Sequence, residues 1–430
     1  MGIVYEDAVV ISNPNREGDY STVITVNCPD KTGLGCDLCR TILLFGLSIC
    51  RGGIPEGAVS VLKLLVSYSC PIDGKWCYIV FWVIGRPKAR WDLLKKRLLD
   101  VCPSYLSTSD IQYYRPENKQ PLRHNLFLLK FWCSYDQKGL LHDVTEVLCE
   151  LELTIKRVKV STTPDGSVLD LFFVTDSREL LHTRKRQEET IGRLRTVLGD
   201  SVTSCDIERA GPEVTECSEG SCYLPPAFTE DLFGSEMHDG NPNGTLVSNP
   251  ILVSMDNSLS PSHTVVQILC QDHKGLIYDI MRTLKDRNIQ ISYGRFFANP
   301  ERNCEVELFI MQRDGEKIVD PNKQEALSSL LQAELRSPLR VAVVNRGPDT
   351  ELLVANPVEL SRRGRPLVFY DITLALKILN TQIFSVEIAR HMIRNREWEV
   401  YRIILDERDC LSVPRKKIEE AVQNKLMGWE

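Results

Sequence analysis

Three loops in this sequence place an aspartate three residues before a glycine, with a leucine directly after it. They read NCPDKTGL at residues 27–34, CSYDQKGL at 133–140 and CQDHKGL at 270–276. An aspartate carboxylate can accept hydrogen bonds from an ammonium group. A glycine lets the backbone approach a ligand closely and can adopt a positive φ. The spacing therefore suits a small ligand with a positive charge beside other polar atoms.

Each loop lies between a run that predicts a strand and a run that predicts a helix. The first turn of a helix has backbone N–H groups without partners and a partial positive charge, which suit a carboxylate. Such a loop can hold a free amino acid through both its carboxylate and its ammonium group. The candidate ligand-binding residues are Asp30, Gly33, Leu34, Asp136, Gly139, Leu140, Asp272, Gly275 and Leu276.

A purely structural interpretation fits the same residues. Aspartate is a frequent N-cap and glycine is frequent in loops. An aspartate can also do both jobs, because it can cap the empty helix and contact a ligand when one binds. One loop alone would favour a structural role, whereas three loops in register would favour binding by at least one pair if they belong to a family of ligand-binding domains.

The elements around the loops repeat three times in the order β-α-β-β-α-β. Apolar runs that predict strands precede the loops at residues 22–26, 126–132 and 264–269. Second helices and closing strands are predicted at residues 91–99, 188–198 and 323–335 and at 111–114, 202–207 and 339–344, respectively. This order predicts an α+β fold in which a four-stranded antiparallel sheet carries both helices on one face.

The C-terminal stretch fits a fourth, altered copy. Residues 362–366 (RRGRP) stand where the aspartate loop would be, which argues against ligand binding there. Its last strand is expected to be missing. The predicted domains are residues 20–115 (with an insertion near 54–70), 123–209, 263–346 and 350–430, and residues 210–262 are predicted to be an acidic, disordered linker.

The acidic charge is concentrated in one stretch. Residues 211–262 contain eight Asp and Glu residues and no Lys or Arg, whereas the whole chain has a formal net charge of −6. The remainder is close to neutral, which argues against a nucleic-acid partner. No apolar run reaches the roughly 20 residues that span a bilayer, so no membrane partner is expected. No signal peptide is visible, which predicts a cytoplasmic protein and leaves the nucleus open.

Fifteen cysteines are scattered along the chain, mostly in apolar runs. Without a secretion signal they are expected to be free, buried thiols. Cys36 and Cys39 form a C-x-x-C, but no second pair of ligands stands at a suitable spacing for zinc. The seven histidines lack a paired nucleophile. We therefore expect no metal, no cofactor and no catalytic residue.

Several segments of the sequence resemble the ACT domain. The resemblance rests on the three loops and on segments 27–38, 270–281 and 345–359, the last of which reads NRGPDTELLVANPVE. Four copies in one chain are similar to the plant ACT domain repeat proteins. This resemblance covers residues 20–430 apart from the acidic linker.

The resemblance implies tandem ferredoxin-like βαββαβ domains and regulatory binding of a free amino acid where domains pair. Similar modules in bacterial uridylyltransferases of nitrogen control sense glutamine, so glutamine or a similar nitrogen-rich amino acid is the expected ligand. The protein is expected to be non-catalytic, because the copies use up the chain. It is expected to signal to a partner protein that the sequence does not identify, and homodimer formation stays open.

We expect two pairs of domains, one on either side of the acidic linker, each forming one extended sheet. The second strand of one domain should complete the site of its neighbour; the candidates are Ile49, Arg51, Ile155, Arg157, Ile289 and Ile291. These residues also fit plain roles, the isoleucines in the core and the arginines on a solvated face. An alternative function is a protein-interaction scaffold with vestigial ligand sites, which the altered fourth copy favours.

Overall fold

The protein forms two compact units, each built from two separate stretches of chain. The computed structural model describes residues 8–12, 22–49, 64–65, 76–84, 89–103, 126–135, 138–162, 167–176, 178–211, 224–234, 251–298, 303–347, 349–393, 396–406 and 413–428. The first unit draws on residues 1–117 and 245–338, and the second unit on residues 118–244 and 339–428. Each unit therefore combines one copy from before the acidic stretch with one copy from after it.

The described residues form seventeen strands and nine longer helices. The strands are β1 (Val9–Ser12), β2 (Thr22–Pro29), β3 (Ser48–Ile49), β4 (Leu64–Leu65), β5 (Trp76–Ile84), β6 (Leu126–Cys133), β7 (Leu153–Thr162), β8 (Val168–Asp176), β9 (Val202–Arg209), β10 (Leu252–Asp256), β11 (Thr264–Gln271), β12 (Gln290–Ala298), β13 (Asn303–Met311), β14 (Arg340–Arg346), β15 (Asp349–Pro357), β16 (Ile383–Ile393) and β17 (Arg396–Leu405). The helices are α1 (Leu34–Leu44), α2 (Trp91–Val101), α3 (Leu140–Glu150), α4 (Arg184–Leu198), α5 (Pro226–Phe233), α6 (Leu276–Asp286), α7 (Pro321–Arg336), α8 (Val368–Ile378) and α9 (Arg415–Met427).

Each unit has one antiparallel sheet. In the first unit the order is β1-β2-β5-β4-β12-β13-β11-β10, with β3 also paired to β5. In the second unit the order is β14-β15-β17-β16-β7-β8-β6-β9. The predicted fold class, tandem ferredoxin-like α+β domains with antiparallel sheets, is confirmed.

Residue periodicity explains which face of each element is buried. Along β2, alternate residues such as Ile24, Val26 and Cys28 are buried, as the two-residue period of a strand requires. Along α1, Leu34, Leu38 and Ile42 are buried at four-residue spacing. The two sets pack into one apolar core between sheet and helices.

The expected pairing of the copies was wrong. In the second unit, the second-copy strand β7 pairs with the fourth-copy strand β16 at Lys159 and Glu387, and α3 packs against α8. In the first unit the first and third copies also pair, with α1 against α6 and with β4 between β5 and β12 in the sheet. The four-stranded sheet of a single copy would leave edge strands that can pair with the edge of any other copy, so strand patterns cannot select the partner.

The insertion of the first copy contributes to this pairing. Its two described residues form β4, in which Leu65 pairs both with Tyr78 of β5 and with Tyr293 of β12. The insertion thus supplies the strand that joins the sheets of the first and third copies. The rest of residues 50–75 and the strand predicted at 111–114 lie outside the described residues.

The edge strand of the fourth copy also needs correction. Residues 339–344 were expected to close the third copy, but β14 pairs with β15 of the fourth copy along its whole length. The fourth copy therefore does not lack this strand. The short connection between Arg346 and Asp349, which face each other in the ladder, makes this local hairpin entropically cheaper than a long-range pairing.

The linker prediction is likewise wrong for two segments. Strand β10 pairs with β11 and takes the edge position in the third copy. Helix α5 buries Leu232 and Phe233. Both segments have apolar side chains to bury, which the acidic composition of residues 210–262 conceals. Residues 212–223 and 235–250 lie outside the described residues.

Candidate functional site

The glycines of the three loops start the first helix of their copies. Gly33, Gly139 and Gly275 are the N-cap residues of α1, α3 and α6, with φ values of 79°, 86° and 84°. This left-handed conformation favours glycine because it has no Cβ. In the fourth copy Leu367 holds the same position at φ 62°, where a side chain makes the conformation strained.

A cleft opens at the N-terminus of α3, between the second and fourth copies. It is open to solvent, and its enclosed part has a volume of only about 20 Å³. Its second-copy lining is residues 139–142, Val160, Val168 and Asp170, and its fourth-copy lining is Thr373, Leu376, Lys377, Thr381, Gln382 and Ile383. The cleft therefore joins the N-terminus of one helix to the C-terminal end of another.

These two helix ends have opposite polarity. The first intrahelical bond of α3 runs from the N–H of Asp143 to the carbonyl of Gly139, at 3.0 Å. The N–H groups of the first turn before Asp143 thus have no intrahelical acceptor and give this wall a partial positive charge. The last turn of α8, with Leu376 and Lys377, presents the carbonyl end with a partial negative charge. A zwitterion matches both walls.

Lys377 lies across the mouth of this cleft. Its Nζ forms an ion pair with Asp143, and its side chain is 40% exposed. A Cβ on Gly139 would lie 2.9 Å from Lys377 Cδ. On the other side, Lys138 donates to the carbonyl of Asn380 at 3.0 Å. Two lysines therefore tie the copies together beside the cleft.

Polar groups stand inside the cleft. Asp170 is 1% exposed and Thr381 is 2% exposed. Within the described part of the chain, the hydroxyl of Thr381 has no hydrogen-bond partner. Buried hydroxyl groups are usually hydrogen-bonded, so this oxygen is available to a bound molecule. His142 Nδ1 lies 3.1 Å from Thr373 Oγ1 and its ring lies 4.8 Å from that of Tyr370.

The similarity of this chain to known proteins spans its full length. It is 55% identical over 433 residues to "ACT domain-containing protein ACR10" of Arabidopsis thaliana, with 100% of each chain covered. The chain belongs to the plant ACT domain repeat family. It is also 50% identical over 436 residues to "ACT domain-containing protein ACR9" of the same plant, again with 100% of each covered.

Three families match parts of this ACT domain repeat protein. "ACT domain-containing protein ACR10, N-terminal" matches residues 11–103, "ACR9-like, ACT-like domain" matches 252–349, and "ACT domain-containing protein ACR9, C-terminal" matches 350–428. A bifunctional uridylyltransferase/uridylyl-removing enzyme of Gluconobacter oxydans is 24% identical over 207 residues, which are 47% of this chain and 19% of that enzyme.

The first unit of this ACT domain repeat protein has an equivalent position at the N-terminus of α1, and a lysine side chain occupies it. Lys285 of α6 packs over Gly33, since a Cβ there would lie 2.8 Å from Lys285 Cδ. Its Nζ lies 2.7 Å from Asp37 Oδ1, and its side chain is only 2% exposed. The equivalent Lys377 is far more exposed. The helix N-terminus is therefore covered more tightly in the first unit than in the second.

The predicted site residues divide among different surroundings. Gly139 and Leu140 line the cleft. Asp136 lies outside the described residues, as does Arg51. Asp30 and Asp272 are half-buried in loops before helices that start at Gly33 and Gly275. Leu34 and Leu276 belong to the apolar core, and Ile49, Ile155, Ile289 and Ile291 pack into or against the core of their units.

Most of the polar lining could not be predicted from the loop motif. Arg157 is half-buried on β7 and is not part of the cleft lining, whereas Asp170, Lys377, Thr381 and Gln382 are. Asp170 offered a signal, because it is a lone carboxylate within the apolar first half of β8 and buried carboxylates are rare. The fourth-copy residues have no such signal in the sequence, because their part in the cleft depends on which copies pair.

Three further features bear on the chemistry. Among the described residues, no group of three or more His, Cys, Asp or Glu side chains could hold a metal ion. None of the described cysteines, Cys36 and Cys39 included, forms a disulfide. No described helix combines the length and the apolar character needed to cross a membrane.

Proposed function

We propose that this protein is a non-catalytic regulator that binds a free amino acid, glutamine or a similar one, where two ACT domains meet, and that it signals to a partner protein. The observation that carries the proposal is the cleft at Gly139. There, the N-terminus of α3 faces the C-terminal end of α8 across a polar interior. No nucleic acid or membrane takes part in this function, and its place is the cytoplasm.

Each part of the ligand has a suitable partner in this cleft. The α-carboxylate accepts hydrogen bonds from the N–H groups of the first turn of α3. The ammonium group faces the carboxylate of Asp170. A side-chain amide can accept from and donate to the hydroxyl of Thr381 and the amide of Gln382, both in the lining.

Regulation follows from the position of the cleft between copies. A ligand that contacts both α3 and the segment after α8 needs the second and fourth copies to face each other there, at a separation wide enough to admit it. It therefore stabilises that arrangement by the difference between its binding free energies for this arrangement and for the others. A partner that prefers the same arrangement is bound more tightly in consequence, and it strengthens ligand binding by the same factor.

The first test is a thermal-shift screen of the full chain against the twenty amino acids at millimolar concentration. A ligand at 100 times its Kd stabilises the protein by about 2.7 kcal/mol. The matched variant is Thr381→Val, which keeps the volume and removes the unpaired hydroxyl. We expect its melting temperature without ligand to stay the same or rise, because no hydrogen bond is lost, and its ligand-induced shift to fall.

The control is Thr145→Val. Thr145 is 1% exposed, and its hydroxyl donates to the carbonyl of Leu141 at 2.7 Å within α3. This variant should keep the ligand-induced shift. A flat screen of the unaltered protein, or equal shifts in the two variants, would contradict amino-acid binding in this cleft.

A second candidate function is a protein-interaction scaffold with vestigial ligand sites. It is favoured by the burial of Lys285 over Gly33 in the first unit, and by Leu367 in place of the N-cap glycine in the fourth copy. A flat amino-acid screen together with retained partner binding would support it. Homodimer formation is measured separately, by sedimentation of the chain with and without the amino acid.

A further inference from the structure

The sheet of the second unit has a covered area on the side away from its main helices. Alternate residues of β15 divide between the two sides: Leu352 and Val354 join the core beneath the main helices, whereas Leu353 and Ala355 form a separate cluster. We name this second side of the fourth copy the outer face; it consists of Arg340, Ala342, Val344, Arg346, Glu351, Leu353, Ala355, Ile393, Trp398, Val400 and Arg402.

Helix α5 covers the apolar centre of the outer face. Leu232 and Phe233 are 5% and 3% exposed. The ring of Phe233 meets Trp398 edge-on with centroids 5.0 Å apart. Phe228, one turn earlier, packs against the same cluster. The helix therefore binds through side chains at positions i, i+4 and i+5, which share one helical face.

An ion pair and two contacts between arginines and an aromatic ring surround these apolar contacts. Arg346 Nη2 lies 2.5 Å from Asp231 Oδ2, and its guanidinium lies 4.4 Å from the centre of the Phe228 ring. Arg402 lies 4.8 Å from the same ring centre. A cation that lies over the face of an aromatic ring is attracted to the ring. The outer face thus offers arginines to a helix from a stretch that has no Lys or Arg of its own.

The fold does not require this cover. The corresponding sheet positions of other copies expose large apolar residues: Trp132 of β6 is 40% exposed, and Leu252 and Leu269, paired across β10 and β11, are 54% and 45% exposed. Copies of the same fold in this chain therefore expose apolar residues at these positions. Helix α5 has only eight residues, too few to be stable alone in water, so it forms by docking.

We propose that the outer face is a docking surface for a short acidic helix of a partner protein, and that α5 is an intramolecular occupant which that helix displaces. The partner segment carries aromatic or leucine side chains at i, i+4 and i+5 and a carboxylate beside the second of them. The linker holds α5 near the face at an effective concentration on the order of millimolar. Only a partner segment of matching chemistry can then compete.

The test uses a fluorescent peptide of residues 223–236 (YLPPAFTEDLFGSE) titrated with the full chain. The variant Phe228→Ser/Leu232→Ser/Phe233→Ser empties the outer face, and Ala227→Ser/Glu230→Gln is the matched control on the exposed side of α5. We expect the first variant to bind the peptide at least tenfold more tightly than the unaltered chain or the control. Adding Arg346→Ala to that variant should weaken binding at least tenfold.

Equal peptide binding by the emptied variant and the unaltered chain would overturn the proposal. A second measurement covers the case in which the emptied variant does not fold. In the unaltered chain, amide hydrogens of α5 should exchange at least tenfold faster than those of β15 and β17. If the amide hydrogens of α5 exchanged no faster than those of β15 and β17, α5 would be a fixed part of the fold, and the proposal would be contradicted.

A second copy of this chain is the other possible source of an acidic helix. Sedimentation of the unaltered chain against concentration decides this. A dimer that forms at micromolar concentration and is lost in the emptied variant would mean that two chains exchange α5. That result would overturn the assignment of the outer face to a different protein, whereas a monomer in both forms supports it.

Discussion

Lys285 and Lys377 occupy equivalent positions, ten residues after the N-cap of their helices, yet they have different surroundings. Lys285 is almost fully buried against Asp37, whereas Lys377 keeps two fifths of its side chain in solvent. A buried ion pair is costly to open because both charges lose their compensation. The second unit is thus the better place for a ligand that must enter and leave.

Substitution of Gly139 should destabilise the second copy. Gly139→Ala places a Cβ at φ +86° and 2.9 Å from Lys377, so we expect a loss on the order of 1–2 kcal/mol from the left-handed backbone. Gly192→Ala is the matched control in helix α4, because a Cβ there meets nothing within 4 Å. It should stabilise by roughly 0.5–1 kcal/mol, and urea unfolding of both variants measures the difference.

Loss of folding stability and loss of ligand binding must be distinguished at Gly139. A Gly139→Val variant loses stability whether or not a ligand binds, so its loss of response says little about contacts. Thr381→Val avoids this problem. If Gly139→Ala were as stable as the unaltered protein, the strain assigned to this N-cap would be contradicted.

Elements with a clear residue pattern could be predicted from the sequence. The starts of α1, α3 and α6 were predicted because each glycine supplies a conformation that other residues avoid. The strands before them were predicted because they are short apolar runs rich in β-branched or aromatic residues. The helix α5 could not be predicted as such, since its eight residues become helical only against Trp398 and its neighbours.

A pH effect is expected at β17. Tyr401 is buried, stacks on Phe369 with ring centroids 6.0 Å apart, and donates its hydroxyl proton to Glu399. Burial, and then the Glu399 carboxylate, raise the pKa of Tyr401 well above its ordinary value. The folded protein therefore holds this proton at a pH where the unfolded chain, with a pKa near 10, has lost it.

The sign follows from linkage. Because the folded state binds more protons above pH 10, stability is complete below that pH and falls as pH rises, by about 1.4 kcal/mol per pH unit for one group. Urea unfolding between pH 8 and 11 measures this slope. Tyr401→Phe should reduce it, and an unchanged slope in that variant would assign the alkaline loss to other groups.

The chain as a whole interleaves its copies, the first with the third and the second with the fourth. The sequence could not show this, because partner choice depends on contacts between elements far apart, such as Lys159 with Glu387 and Lys285 with Asp37. The polar lining of the cleft was hidden for the same reason. Four of its six polar side chains come from the fourth copy, whose first loop lacks the aspartate.

Cutting the chain between residues 240 and 241 tests the interleaving. A protease site inserted there gives an N-terminal half with the first two copies and a C-terminal half with the last two. We expect the halves to elute together in native gel filtration, because each sheet contains strands from both. They should separate only in denaturant, and separation in native buffer would instead support pairing of neighbouring copies.

The insertion strand β4 lies between β5 and β12, and this has a consequence during synthesis. Residues 85–289 separate those two neighbours of β4 along the chain. A ribosome adds about 5–20 residues each second, so the first copy waits roughly 10–40 s for the strand that completes its sheet. During that interval the edge of its sheet at β4 can pair with other chains, so we expect chaperones to bind the protein while it is being synthesised. A message cut short after the second copy would yield two incomplete sheets and no finished unit.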